Sequence, residues 1–203
     1  MATDGSGPMT LNATGFAPRG LDDGSILFHT ASYRVARRAP GGNVTDLGDG
    51  AFPRPAPNGR IVFQCSGLGG GICSMAADGS DRMTIRATGR VPDVDRAGTL
   101  LLHTDGYRVI RRTAGGQEDD LGPGAFASWM DDGRVLFQCS GLDGGLCRMA
   151  TDGSGRLTLQ ATGRVPDARA DGALVFHSDG YTVSFEQAGS VTPLRAGANA
   201  VWW

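Results

Sequence analysis

The chain has 203 residues, of which 40% are hydrophobic and 20% are charged, a balance typical of a globular protein with one domain or two small ones. Its formal charge of −2 offers no basic surface for nucleic acid, and no apolar run reaches the roughly 18 residues of a membrane helix. The opening residues lack the basic and apolar regions of a signal peptide. All 19 basic residues are Arg, as in GC-rich bacterial coding sequences.

An internal repeat of 74 residues runs through the chain, so that Met1, Met75 and Met149 are equivalent. The third copy lacks 19 residues, and each full copy consists of two subunits that follow one plan. Each subunit contains short segments rich in Val, Ile, Leu, Phe and Thr, separated by Gly and Asp turns. This pattern predicts four strands per subunit and essentially no helix.

Subunits of four short strands are typical of propeller blades, and the sequence therefore predicts an all-β β-propeller. We expect a single domain of six blades, in which the 74-residue double blade gives pseudo-threefold symmetry and strands from both termini close one incomplete blade. Residues 1–18 are assigned to the outer strands of the closing blade and residues 198–203 to its inner strand. The five successive blades between them are assigned to residues 19–55, 56–93, 94–129, 130–167 and 168–197. The incomplete blade offers unpaired edges through which the chain could self-associate.

The strands of one subunit are labelled a to d from the propeller axis outward. In the third copy we expect strand a at Val165–Arg169, strand b at Ala173–His177 and strand c at Tyr181–Phe185. Strand b has apolar residues on both faces, which predicts burial between neighbouring blades. The b–c connections "HTDGY" and "HSDGY" predict type I′ turns, whereas "HTASY" lacks the Gly and predicts another type.

The stretches "APNGRIVFQCSG", "CSMAADGSDRMTIRATG" and "RMATDGSGRLTLQATG" resemble the TolB-type β-propeller repeat, in which an Asn-Gly or Asp-Gly turn, a strand ending in Phe and the pattern M-x-x-D-G-S follow one another. The resemblance covers the whole chain and is strongest in the subunits that carry D-G-S. It implies a propeller fold. It says little about function, because such propellers serve as binding domains, substrate gates and enzymes.

Four cysteines form two pairs, each bracketing a Gly-rich b–c loop of seven residues. A hairpin places such residues side by side, so we predict disulfides between Cys65 and Cys73 and between Cys139 and Cys147. The alternative is reduced cysteines in a cytosolic protein. The location is therefore predicted to be periplasmic or extracellular if the pairs are oxidised and cytoplasmic otherwise.

Equivalent polar and aromatic residues end strand b or follow it, and they are the candidate ligand-binding residues: His29, His103, His177, Gln64, Gln138, Tyr33, Tyr107 and Tyr181. TolB-type oligogalacturonate lyases hold a divalent metal with His and Gln, which implies a metal site as one possibility. Since all five His and Gln side chains occupy one point of strand b, they would form a ring too wide for one metal, and we predict no metal site. The alternative is that each His bonds a neighbouring d–a loop.

The d–a connections are expected at the same end as the b–c loops, where they add Arg90 and Arg164 to the candidate ligand-binding residues. Arg19, Arg54, Asp93 and Asp167, at the start of strand a, would line the mouth of the channel, as would Ser128 and Trp202. An acid/base carboxylate pair is conceivable there, but salt bridges between these Asp and Arg residues fit the sequence better.

No catalytic residues and no cofactor are indicated. Near-perfect repetition favours a non-catalytic module that presents several similar weak sites to a protein, peptide or glycan partner. The alternative is a metal-dependent polysaccharide lyase, or another enzyme, with a site at the same end, as the resemblance to oligogalacturonate lyases implies. We expect neither a nucleic-acid partner nor a membrane span.

Overall fold

The computed structural model describes residues 15–140, 144–168, 173–178, 180–187 and 189–196, which form five antiparallel sheets of four strands each. Within every sheet the strands follow chain order, and we call the sheets blades 1 to 5 and their strands a to d. Blade 1 contains β1 (Gly15–Gly20), β2 (Ile26–Thr30), β3 (Arg34–Arg38) and β4 (Val44–Asp49); blade 2 contains β5 (Ala51–Pro55), β6 (Arg60–Ser66), β7 (Gly70–Ala76) and β8 (Met83–Arg86). Blade 3 contains β9 (Arg90–Val94), β10 (Leu100–His103), β11 (Arg108–Arg112) and β12 (Glu118–Pro123); blade 4 contains β13 (Ala125–Trp129), β14 (Val135–Gln138), β15 (Leu146–Met149) and β16 (Leu157–Gln160). Blade 5 contains β17 (Arg164–Ala168), β18 (Leu174–His177), β19 (Thr182–Gln187) and β20 (Ser190–Ala196).

The β-propeller prediction is confirmed, but the six-bladed arrangement with a 74-residue double-blade unit is wrong, because the described residues form five blades. The predicted closing blade was assigned to residues 1–18 and 198–203, of which 1–14 and 198–203 lie outside the described residues. Gly15 and Phe16 pair with Thr30 and His29, as part of the innermost strand of blade 1. Chain length does not determine the number of blades, because it does not show which terminal residues pair.

Consecutive blades are joined by apolar side chains from strand b, as the burial of both its faces predicted. Between blades 1 and 2 the core contains Leu27, Val35, Ile61, Phe63 and Met75. Similar clusters fill the spaces between blades 2 and 3, 3 and 4, and 4 and 5. All four residues of β10, β14 and β18 are buried. Each fully buried Leu or Phe contributes roughly 1.5–3 kcal/mol, so strand b supplies much of the stability.

The D-G-S turn of blade 2 docks on the outermost strand of blade 1. The Asp78 side chain accepts a hydrogen bond from the backbone N–H of Ser80 at 2.9 Å, which closes the turn. A Cβ on Gly79, whose φ is +90°, would lie 2.8 Å from the backbone oxygen of Leu47. Arg82 lies 4.5 Å above the Phe63 ring and donates to the Leu47 carbonyl. The same contacts join blades 3 and 4 through Arg156, Phe137 and Leu121.

The predicted b–c turns are wrong in type. Type I′ requires positive φ at both central residues, but neither Asp105 nor Gly106 has one, and Gly180 does not either. Instead the next residue adopts the left-handed conformation: φ is +55° at Tyr33 and +54° at Tyr107 and Tyr181. Since the Gly is not needed for positive φ, "HTASY" forms the same turn, in which the Tyr33 N–H donates to the Thr30 carbonyl at 3.0 Å.

Helical structure in the described ranges includes the short 3-10 turns at Pro57–Gly59 and Gly67–Gly69. No helix in those ranges is long and apolar enough to cross a membrane.

We predict that Gly79→Ala destabilises the protein by about 2–4 kcal/mol, because left-handed backbone and a collision with Leu47 add together. Gly59→Ala is the matched control, since Gly59 has φ of +71° but open space around it. Backbone conformation alone should cost that variant about 1 kcal/mol. Urea unfolding of both variants measures the difference, and equal losses would contradict the docking role of the D-G-S turn.

Candidate functional site

The candidate His and Gln side chains tie each blade to the next. The Nδ1 atom of His29 accepts a hydrogen bond from the Phe52 N–H at 3.3 Å, and that of His103 accepts one from the Phe126 N–H at 3.4 Å. In the intervening blades, the Oε1 atom of Gln64 accepts from the Val91 N–H at 3.1 Å. The fourth such bond joins the Gln138 Oε1 atom to the Val165 N–H at 3.3 Å. His and Gln thus play one role in alternate blades.

The donors of these bonds are N–H groups that a bulge removes from the sheet ladder. In every blade the pairing of strands a and b shifts register at this point. One residue of each strand a has φ of +46° to +50°; these residues are Ala17, Phe52, Val91, Phe126 and Val165. Such a conformation is strained for an aromatic or β-branched residue. The acceptor on the preceding blade satisfies an N–H group that would otherwise be left without a partner.

The two described histidine acceptors are neutral. Burial is the main cause that lowers the pKa of His29 to about 4, and the charge of Arg54 adds to it. Burial also lowers the pKa of His103 to about 4, with a further contribution from Arg90 that Asp105 opposes. A neutral ring is necessary here, because a protonated Nδ1 atom could no longer accept the bond from strand a. The ring proton therefore lies on Nε2.

Each candidate Tyr stacks on the His of its own blade, which brings the two sets of predicted residues together. The ring centroids are 6.0 Å apart for His29 and Tyr33 and for His103 and Tyr107, and 5.8 Å apart for His177 and Tyr181. We call these three His–Tyr pairs and the aromatic rings around them the aromatic clusters, and the end of the propeller that carries them the aromatic end.

Phenylalanines complete the first two aromatic clusters, and the composition of the sequence did not single them out. Phe52 lies 4.9 Å from His29 and Phe126 lies 5.2 Å from His103, measured between ring centroids. Phe16 covers the His29 ring at 5.6 Å and is 45% exposed. Tyr181 is 65% exposed. Phe52 and Phe126 could have been found from the tripeptide Gly-Ala-Phe, which occurs where strand a begins in blades 2 and 4.

Arg90 and Arg164 occupy in blades 3 and 5 the position that Phe16 has in blade 1. Arg90 pairs with His103 in the register of strands a and b, and Arg164 pairs with His177. The Arg90 Nε atom lies 2.5 Å from a carboxylate oxygen of Asp105. Both arginines thus reach the aromatic end, as expected, and they give the second and third clusters a cationic member.

The aromatic clusters do not merge into one metal site. They belong to alternate blades, and the described Nδ1 atoms of His29 and His103 are engaged by backbone N–H groups. Among the residues that the structure describes, no three His, Cys, Asp or Glu side chains come close enough to share a metal ion.

Both predicted disulfides are confirmed: Cys65 is bonded to Cys73 and Cys139 to Cys147, with Cα atoms 5.1 and 5.3 Å apart. The first bridge lies beside the aromatic end, since the Gly67 backbone of its loop packs on the Tyr33 ring. The Nε2 group of Gln64 donates to the Gly67 carbonyl, so one side chain holds both this loop and strand a of blade 3. Two disulfides favour an oxidising setting, outside the cell or in a periplasm.

The charged residues of strand a line the propeller axis, where two ion pairs confirm the predicted salt bridges. Arg19 Nη1 lies 2.8 Å from Asp167 Oδ2, and Arg54 Nε lies 3.2 Å from Asp93 Oδ1. Asp167 and Asp93 raise the pKa of Arg19 although its burial opposes them. For Arg54 burial dominates, and with the nearby charge of Arg19 it lowers the pKa to about 10. These residues occupy the second half of strand a and therefore lie nearer the a–b loops than the aromatic end. Their predicted position at the start of strand a, beside the d–a connections, is therefore wrong.

Comparison with known proteins shows the fold and no closer relationship. No protein-family model and no curated protein matches the chain. A solved chain from a nidogen/laminin complex superposes with a TM-score of 0.70 at 14% identity, covering 86% of this chain and 76% of that one. A Bacteroides thetaiotaomicron protein of unknown function superposes with a TM-score of 0.67 at 12% identity, covering 92% of this chain and 59% of that one. YCF48, solved bound to D1 peptide, superposes with a TM-score of 0.55 at 9% identity, covering 88% of this chain and 62% of that one. These likenesses establish a β-propeller.

The link between blades can be tested with a substitution that the chain itself uses. We predict that His103→Ala destabilises the protein by about 1–3 kcal/mol, because the Phe126 N–H loses its acceptor. His103→Gln should cost less, since Gln accepts the equivalent bond in blades 2 and 4. Urea unfolding measures both values, and equal losses would show that ring packing, rather than the hydrogen bond, joins the blades.

Stability should also depend on pH in a defined direction. The unfolded chain binds a proton at each histidine near pH 6.5, whereas folded His29 and His103 do so only near pH 4. Stability is therefore greatest above pH 6.5 and falls as the pH is lowered towards 4. We expect the melting temperature of His29→Gln/His103→Gln to fall less over this interval than that of the wild type. Parallel curves for the two proteins would exclude the histidines as the cause.

Proposed function

We propose that this protein is a non-catalytic binding module that holds a peptide segment of a partner protein on its aromatic end. The observation that carries the proposal is the recurrence, on blades 1, 3 and 5, of a Tyr stacked on a buried His. In two of these blades an Arg lies beside the pair. Tyr and Arg are enriched where proteins bind one another, because they offer large contact areas with a polar tip.

The backbone of these tyrosines favours a preformed surface. Tyr33, Tyr107 and Tyr181 hold left-handed φ values, which cost conformational energy and persist only where the surroundings impose them. The stacked His and the b–c turn fix each Tyr before any partner arrives. A rigid aromatic side chain loses little entropy on binding, which raises affinity.

Three similar clusters on one end suit a partner with several weak contact points. Linking such contacts raises overall affinity without any one of them being strong. Enzyme chemistry finds less support, because His29 and His103 are neutral and use Nδ1 for a structural bond. The nidogen/laminin complex and YCF48 with its D1 peptide are propeller-like neighbours found with protein or peptide partners, which accords with the proposal at the level of the fold.

Two finer assignments accompany this proposal. We assign the repeat to the TolB type, on the strength of the D-G-S turns at residues 78–80 and 152–154. We also place the protein in the periplasm or outside the cell, because both cysteine pairs are bonded and such bonds persist in oxidising compartments.

A peptide library displayed on phage tests the proposed function. We predict that the wild type enriches peptides whose affinity falls roughly tenfold or more for Tyr107→Asn and is lost when all three tyrosines are replaced by Asn. Asn tolerates left-handed φ, so the turns are retained. Surface plasmon resonance with the enriched peptides gives the affinities.

Met83→Asn is the matched control, because Met83 is 52% exposed on strand d of blade 2, outside the aromatic clusters. Its affinity should equal that of the wild type. Binding that survives the triple Tyr replacement, or a wild type that enriches no peptide and binds a glycan array instead, would contradict the proposed function.

A further inference from the structure

A second site, separate from the aromatic end, is formed by the axial channel. Strand a of all five described blades contributes one polar residue at the same register position: Arg19, Arg54, Asp93, Ser128 and Asp167. All of these residues except Ser128 line a cavity of about 1090 Å3, together with Trp129, Thr99 and residues of the a–b loops. That volume is large enough for a small organic molecule.

Two guanidinium groups from adjacent blades lie on one side of this channel. Arg19 and Arg54 belong to adjacent blades, and their side chains are only 13% and 10% exposed. The Nε atom of Arg19 is buried and has no hydrogen-bond partner among the described residues. Arg19 reaches Asp167 through Nη1, which leaves the planar fork of the guanidinium only partly used.

Asp93 and Ser128 make their described hydrogen bonds to groups other than Arg19. Asp93 accepts from Arg54 through Oδ1 at 3.2 Å and from the Trp129 N–H through Oδ2 at 2.8 Å, so both of its oxygens are engaged. Ser128 directs its hydroxyl to the Pro166 carbonyl at 3.4 Å. A buried guanidinium N–H without an acceptor costs free energy. A ligand oxygen can recover it if the Arg19 side chain, which lines the cavity, turns its Nε atom towards the channel.

We propose that the axial channel binds an organic carboxylate between the guanidinium groups of Arg19 and Arg54. A planar carboxylate matches the fork of a guanidinium and can accept two parallel hydrogen bonds. A singly charged group fits better than phosphate, because the fixed charges of Asp93 and Asp167 repel a dianion more strongly. The Trp129 side chain, whose Nε1 atom is held by the Thr99 carbonyl at 3.1 Å, supplies an apolar wall for the rest of the ligand.

Isothermal titration calorimetry of the whole chain with the singly charged carboxylates benzoate, phenylacetate and acetate tests this site. Benzamide is the matched ligand control, since it has the shape of benzoate without the charge, and inorganic phosphate is the second control. We expect saturable binding of benzoate or phenylacetate, with benzamide and phosphate weaker by roughly tenfold or more. Absence of saturable binding for all three carboxylates, or equal binding of benzamide or phosphate, would overturn the proposal.

Variants locate the bound group. Arg19→Gln should weaken carboxylate binding roughly 10- to 100-fold, as expected for hydrogen bonds to a charged group. Asp167→Asn should strengthen it, because the ligand then replaces the missing partner of Arg19. Arg60→Gln is the control with unchanged affinity, since Arg60, on strand b of blade 2, binds Asp81 in the c–d turn and does not line the cavity.

Should Arg19→Gln fail to fold, Arg54→Lys provides the same test, because it keeps the charge and removes the fork. Unchanged affinity in the folded member of this pair would overturn the proposal. So would an affinity that Asp167→Asn lowers. A triple Asn replacement of Tyr33, Tyr107 and Tyr181 should leave carboxylate binding intact, which separates this site from the proposed peptide site.

Discussion

The hydrogen bond from the bulged N–H of strand a to the preceding blade is the contact on which the rest of the structure depends. The bulge gives strand a its left-handed residue and removes one N–H from the sheet. An acceptor on the neighbouring strand b then satisfies that N–H, as His29 does for Phe52. Because the acceptor belongs to another blade, local strain in one sheet becomes a link between two. The apolar cores between blades stabilise the folded state, and the hydrogen bond fixes the position of strand a against the preceding blade.

The choice of acceptor decides what else each blade can do. A Gln such as Gln64 has a second polar group, which it uses to hold the disulfide-bridged b–c loop through Gly67. A His has a ring instead, so the blade can place a Tyr on it and keep a short turn. Alternating the two therefore gives alternating surfaces from one backbone plan. The cost of His is that its ring must stay neutral, which makes blades 1 and 3 sensitive to acid and blades 2 and 4 indifferent.

The sequence predicts features that depend on spacing and misses those that depend on backbone conformation. Burial of strand b, both disulfides and the Arg–Asp pairs follow from periodicity, hairpin geometry and charge, and the structure confirms them. The predicted strands of the third copy agree with the observed ones to within two residues at each end. The left-handed residues of the bulges and b–c turns, such as Val91, Phe126 and Tyr107, are residue types that carry no turn signal, so neither the bulge nor the b–c turn could be foreseen. Asp105-Gly106 does carry such a signal, and it misled. The prediction of six blades is wrong for another reason. The repeat length indicates how many subunits the chain could hold, but it does not show which terminal residues pair.

Where the repeat is kept and where it is broken distinguishes the two ends of the molecule. The positions equivalent at 74 residues remain His and Tyr at the aromatic end. Along the axis the same spacing gives Arg19, Asp93 and Asp167, and Arg54 is matched by Ser128. A repeated surface can make the same weak contact several times. A ligand on the axis instead contacts strand a of all five described blades at once, so its binding depends on the polar residues that differ between them. If these residues served only to form ion pairs, Arg and Asp could simply alternate around the axis. The adjacency of Arg19 and Arg54, which leaves a buried Nε atom without a partner among the described residues, is what an axial anion would require and what the fold itself does not.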